Sequence, residues 1–255
     1  MAELVGTGVR SLSMCGRFVL TTKVSAFVDQ IRIRVEASNP EEAYFSPEEL
    51  CELKLKAEEL QDQLSPQYNI APRFWIPAIA RIDKDVPTIN LYKWGLLPPW
   101  AKDEKMGDRC FNARSEAVAE KPSFRSAFKH SRAVILADGY YEWKKLDTKN
   151  KQPYFIHRTD SEPMFFAGLV EPKTQTSTIL TTEAEGDLAE IHNRHPVFLR
   201  VDEVGEWLDA KTSRDKLLGL VQASGVDGIE AYPVSKAVGK VGDRNDEGLI
   251  VRVEN

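Results

Sequence analysis

Four short stretches put reactive side chains next to turns and strand starts. The first is CGRF, Cys15–Phe18, where Gly16 lets the backbone beside a thiol approach another group closely. The second is FNARSE, Phe111–Glu116. Strand alternation puts Asn112 and Arg114 on one face, an amide and a guanidinium able to hold a phosphate or a carbonyl. The third is ADGYYEW, Ala137–Trp143, in which Glu142 sits between Tyr141 and Trp143; a carboxyl in apolar surroundings rises in pKa and can move protons. The fourth is EIHNRHP, Glu190–Pro196, with His192 and Arg194 two residues apart and His192 the natural acid–base group near neutrality. Each also has a bland reading: an ordinary early-strand cysteine, a salt-bridged turn, a strand-edge glutamate facing water, a histidine closing a helix. A thiol, an imidazole, an amide and a carboxylate together are compatible with a thiol hydrolase.

The elements that must position them are mostly short strands. Gly16–Thr21 has strand character and Val24–Ile31 suits a short helix. Nine acidic residues against two lysines fill 36–62, a local balance of −7 within a chain total of −5. Pro47-Glu48-Glu49 before Leu50 is a helix start, and Leu50, Leu53 and Leu60 can share a face, so 36–62 reads as an acidic helical insert lying on the surface. Strands are expected at Ile76–Ile82, Thr88–Trp94, Ala133–Ala137, MFFAGLVE and TSTILTTEA, with a rigid loop at Pro98-Pro99. An Asp138-Gly139 turn should lead to a second strand that pairs with Pro153–His157 as a hairpin. A short helix precedes the Pro-stopped strand at His195-Pro196, and Val201–Asp209 begins a helix with Trp207 inward. With no βαβ rhythm and no repeat, this implies one α+β domain: a curved mixed or antiparallel sheet with a barrel-like core, surrounded by helices. Residues 1–13 read as a disordered extension carrying no secretory signal, followed by a domain over 14–255.

Bulk properties exclude several classes. A 42% hydrophobic, 29% charged chain can bury a core, and it contains no apolar run of membrane-spanning length. The three cysteines form no C-x-x-C pair, so neither a disulfide framework, a metal site nor a cofactor is expected. The negative total argues against a strongly basic nucleic-acid binder, although Lys144, Lys145, Lys149, Lys151 and Arg158 concentrate positive charge on one hairpin.

Nine pieces in order, MCGRF, YNIAP, WGLLPPW, FNARSE, ADGYYEW, QPYF, the strand before Thr181, IHNRHP and VSKAVGKV, resemble the SOS response-associated peptidase (SRAP) family from Met14 to about Val241. The resemblance implies a shield of abasic sites in single-stranded DNA, covalently cross-linked through the cysteine that follows the initiator Met, here Cys15. It implies Asn112, Glu142 and His192 as the other active-site residues. It implies DNA contacts at Arg17, Asn69, Pro72, Trp94, Arg114 and Thr181, with Trp94 and Pro72 stacking or wedging bases. The expected partner is single-stranded DNA bearing abasic sites, with no membrane; the protein would be a monomer, intracellular, nuclear in a eukaryote and cytoplasmic or nucleoid-associated in a prokaryote. His195 stands where the family usually carries Met, which would make the pocket rim more polar, and Gly239-Lys240 replaces a common Asn pair.

The chemistry fits the residues. An open abasic sugar is an aldehyde, and an N-terminal Cys carries an amine and a thiol able to close a thiazolidine ring on it. An α-amine titrates near 8, well below Lys. Residues 1–13 would lock that amine in a peptide bond, so the active form is expected to begin at Cys15, by initiation at Met14 or by self-cleavage. A thiol peptidase acting on proteins and a non-covalent reader of single strands or modified bases are the competing functions.

Overall fold

A computed structural model describes residues 16–36, 44–82, 86–225 and 228–254; Cys15 lies outside them. β1 is Phe18–Leu20, followed by two helices, α1 (Val24–Glu36) and α2 (Pro47–Gln61). α2 starts where the sequence says it should. Ser46 Oγ accepts from the Glu49 N–H at 3.1 Å, and the Glu49 carboxylate accepts from the Ser46 N–H at 2.8 Å, a capping box with Pro47 at the first helical position. The inward leucine face and acidic outer side expected of this segment are what α2 presents, while residues 37–43 lie outside the described residues. Leu50, Leu53, Ala57 and Leu60 are buried in the main core, α2 packs on α1, and its acidic side faces out. Each such leucine contributes roughly 1.5–3 kcal/mol by burial.

The remaining strands are β2 (Gln67–Ile70), β3 (Trp75–Ala80), β4 (Thr88–Trp94), β5 (Asn112–Arg114), β6 (Arg132–Ala137), β7 (Gly139–Lys145), β8 (Lys151–Arg158), β9 (Met164–Glu171), β10 (Thr176–Glu183), β11 (Arg194–Pro196), β12 (Phe198–Leu199) and β13 (Ile229–Pro233). Short helices α3 (Arg125–His130), α4 (Gly186–Ala189), α5 (Glu203–Leu208) and α6 (Arg214–Gln222) cover the outside. Trp207 of α5 is buried, and its indole donates to the Ala133 carbonyl at 2.9 Å. α6 has no counterpart in the sequence reading.

Two sheets result. One runs β13-β8-β7-β1-β2, all antiparallel. In the other, β10 pairs with both β4 and β9, so the path β10-β4-β3-β6-β9 closes on itself as a five-stranded barrel. β10 is parallel to β4 and β5, which makes this sheet mixed. Pro77 is tolerated inside β3 because pairing with β6 begins only at Ala78, leaving no ladder partner for the missing N–H. At Asp138-Gly139 the chain changes sheet: β6 pairs with β3 and β9, whereas β7 pairs with β1 and, as the expected hairpin, with β8. Asp138 Oδ2 fixes the switch by accepting from Thr21 Oγ1 and the Thr22 N–H at 2.8 and 2.9 Å. Gly139 is needed there, since a Cβ would lie 2.6 Å from the Phe155 ring and 2.7 Å from the Ile156 carbonyl. Among the described residues no helix is long and apolar enough to cross a membrane, and no group of three His, Cys, Asp or Glu could hold a metal ion.

Candidate active site

Glu142 owes its place to the alternation of β7. Tyr140 enters the main core and Tyr141 enters a second cluster with Val19, Phe155, Val234 and Val238, so Glu142 returns to the face of Tyr140. It is 2% exposed. One carboxyl oxygen, Oε2, accepts from the Trp143 N–H at 3.3 Å; among the described residues the other, Oε1, accepts no hydrogen bond and lies 3.7 Å from His192 Nδ1. Burial pushes the carboxyl to about 8, against smaller opposing effects of the Trp143 N–H and Lys151. A group protonated near neutrality, with a bare oxygen beside an imidazole, is built to give and take a proton.

His192 sits between α4 and β11. The N–H and the carbonyl of Arg194 both lie 3.2 Å from its Nδ1. The N–H asks for a lone pair and the carbonyl asks for a proton, so this nitrogen has a partner in either protonation state. The Arg194 side chain holds the loop. It is buried, and its two terminal nitrogens each reach a Glu116 oxygen at 3.0 Å, while Nε donates to Thr181 Oγ1 at 3.2 Å. Sequence reasoning passed over this clamp, because its halves are 78 residues apart. The available signal was the spacing alone, an Arg two residues from a candidate His.

β10 gathers the rest. Ile179 lies opposite Asn112 and Thr181 opposite Arg114 on one side, while Thr181 faces Pro196 and Glu183 faces Arg194 on the other. Asn112 is buried and Arg114 exposed. From the first sheet, the Tyr141 N–H donates to the Arg17 carbonyl at 2.9 Å, and Phe18 pairs with Tyr140. Arg17 is half-buried; Nη1 donates to the Gly16 carbonyl at 2.8 Å, while the buried Nε has no acceptor among the described residues. Burial lowers its pKa.

Several expected contacts lie behind the surface. Trp94 is 0% exposed and offers no ring face for stacking. Its indole donates to the Phe111 carbonyl at 2.7 Å and packs edge-on against Phe18 (5.3 Å) and Phe111 (5.9 Å), joining β1 to the start of β5. Asn69 is buried and donates to the Val238 and Lys240 carbonyls, both at 3.2 Å, and the Thr181 hydroxyl is taken by Arg194. His195 does not line a polar rim: it is 1% exposed, stacked on Phe198 at 4.8 Å, and burial lowers its pKa. Pro72 remains half-buried. The tryptophans that do face solvent are Trp75 (53%) and Trp100 (57%), the latter just after the double-proline loop.

The family described as SOS response associated peptidase (SRAP) matches residues 14–241. Abasic site processing protein YoaM of Bacillus subtilis is 37% identical over 250 residues, covering 95% of this chain and 99% of that protein. Abasic site processing protein YoqW of the same organism is 38% identical over 233 residues, covering 88% and 94%. The protein of that class named HMCES from Rattus norvegicus is 29% identical over 233 residues, covering 74% of this chain and 65% of its own. A crystal structure from Bacteroides thetaiotaomicron has the same fold, with a TM-score of 0.70 at 23% identity over 94% of this chain and 100% of the other. The match across nearly the whole described domain, with the Glu142–His192 pair inside it, places this chain in the SRAP family.

Proposed function

We propose that this protein captures abasic sites in single-stranded DNA as a monomer, through a thiazolidine formed by Cys15. The observation that carries the reading is the buried Glu142 against His192, on the strand whose Tyr141 N–H donates to the carbonyl of Arg17, two residues after Cys15. The names of the relatives supply the substrate class. Arg17, whose Nε has no acceptor among the described residues, and exposed Arg114 would take flanking phosphates. Exposed Trp100, not Trp94, would offer the stacking face.

The steps balance. Protonation of the sugar ring oxygen, a task suited to His192, with loss of the anomeric hydroxyl proton back to the imidazole, opens the abasic sugar to its aldehyde. The neutral Cys15 amine adds to the carbonyl carbon and one of its protons passes to the former carbonyl oxygen, giving a carbinolamine. Glu142 gives its proton to the departing hydroxyl, which leaves as water, and a protonated imine remains. The Cys15 thiol then adds to the imine carbon, the C=N electron pair passes to the nitrogen, and the thiol proton returns to Glu142, closing the ring. Aldehyde and aminothiol thus become thiazolidine plus one water. Asn112 would orient the sugar or the amine. Fixing both nucleophiles at one carbon gives the advantage of an intramolecular reaction.

The test is a denaturing gel with an abasic single-stranded oligonucleotide. Wild type should give a slower covalent band, Cys15→Ala none, and Cys51→Ala and Cys110→Ala bands like wild type. A band persisting in Cys15→Ala would assign the link to another nucleophile. Peptide cleavage without a band would favour a thiol peptidase, and binding without either would favour a non-covalent reader.

A further inference from the structure

Away from the acid–base pair, a cavity of about 680 Å³ opens between α3 and α6. Arg125, Lys129, Arg132 and Arg214 line it, over a floor that includes Phe128 and Leu217. Four cations around one cavity stand out in a chain of net charge −5. Arg132 is structural: its guanidinium is buried and donates to the carbonyls of Trp207 (2.6 Å), Phe128 (2.9 Å), Lys129 (3.2 Å) and Asp209 (2.7 Å), closing the ends of α3 and α5. Arg214 pairs with Glu120. Arg125 and Lys129 are exposed, and neither pairs with a carboxylate among the described residues. Against these four cations stand two carboxylates, Glu120 paired with Arg214 and Asp209, whose charge acts on Arg132. The cavity therefore offers excess positive charge in a concave, partly apolar wall, where the field on an approaching anion is focused.

Its position says which anion. Ala119 lines the cavity, five residues after Arg114, and the turn between them, Ser115–Ala117, packs against α6. Five residues reach at most about 17 Å. That brings the cavity wall at Ala119 within reach of a few nucleotides of a polyanion held at Arg114.

We propose that this cavity binds the phosphate backbone of the same DNA strand beyond the abasic nucleotide, so that Arg125 and Lys129 extend the footprint without touching the chemistry. The inference rests on the single-strand reading of the active site. A polyanion has an advantage here over a free anion, since contacts already made at Arg114 raise its effective concentration at the cavity.

The test uses abasic oligonucleotides carrying an arm of about six nucleotides on the 5′ side, the 3′ side or neither, a length within the span of a single-strand groove. Wild type should bind one armed form at least about tenfold more tightly than the armless form. The double variant Arg125→Glu, Lys129→Glu should lose that gain and keep the armless affinity and cross-linking rate. The slope of log affinity against log salt for the armed form should fall by about 1.4, or ~0.7 for each of two lost phosphate contacts. No gain from either arm in wild type, or a gain undiminished in the double variant, overturns the proposal. Failure of wild type to link any abasic oligonucleotide would instead sink the active-site reading, so the two failures are distinguishable.

Discussion

At the scale of single residues, Glu142 ties structure to reaction. Its carboxyl sits near 8 because it is buried, whereas an exposed glutamate titrates near 4.3. A folded-state pKa raised above the unfolded one means that the folded protein keeps a proton which the unfolded chain releases. Stability is then highest below the unfolded value and is lost as pH rises from about 4.3 to about 8. We predict that Glu142→Gln removes this loss. Thermal melts from about pH 5 to pH 9 should show wild type falling behind the variant on the alkaline side, by up to a few kcal/mol. Parallel melting profiles would mean that the carboxyl is not held protonated. The same proton sets the rate: wild-type cross-linking should decline above about pH 8, while Glu142→Gln should be slower by ~10²–10⁴-fold and lack that decline.

At the scale of elements, β10 carries one half of the site on each flank, and Glu116–Arg194 locks the two together. The lock acts through the backbone, since the amide and carbonyl of Arg194 hold His192. We predict that Arg194→Ala slows single-turnover cross-linking by at least about tenfold, as sub-ångström misplacement of a proton donor is costly. Arg194→Lys should recover part of the rate by keeping one charge-assisted contact, and Glu116→Gln should be milder than Arg194→Ala because its amide oxygen still accepts. Wild-type rates in Arg194→Ala would remove the clamp from the mechanism. The strands themselves were legible in the sequence, because the β-branched and aromatic runs of β4, β6, β9 and β10 carry their own signal. Their partners were not. Asp138-Gly139 has the composition of a hairpin turn, yet long-range bonds from Thr21 and Thr22 make it a passage between sheets. Likewise nothing local distinguishes Trp94, enclosed by Phe18 and Phe111, from Trp100, which is left in solvent.

At the scale of the molecule, the site lies where the barrel and the five-stranded sheet meet, with Glu142 from one and His192 from a loop of the other 3.7 Å apart. The sequence already held Asn112, Glu142 and His192 as candidates, but the approach of Glu142 to His192 depends on how the two sheets pack, a property of the whole chain. The acidic segment divides in the same way: its charges and leucine spacing were legible, and the barrel wall that receives Leu50 and Leu53 was not. What remains to be joined to this frame is the Cys15 amine, which a chain beginning at Met1 keeps in a peptide bond. The decisive comparison sets protein beginning at Met1, its intact N-terminus verified by mass, against protein beginning at Cys15, both incubated with abasic single-stranded DNA and then heated. Only the protein with a free Cys15 amine should yield a heat-stable link, with a mass equal to protein plus DNA less one water. A heat-stable link of equal yield from the protein with an intact Met1 terminus would contradict the thiazolidine mechanism.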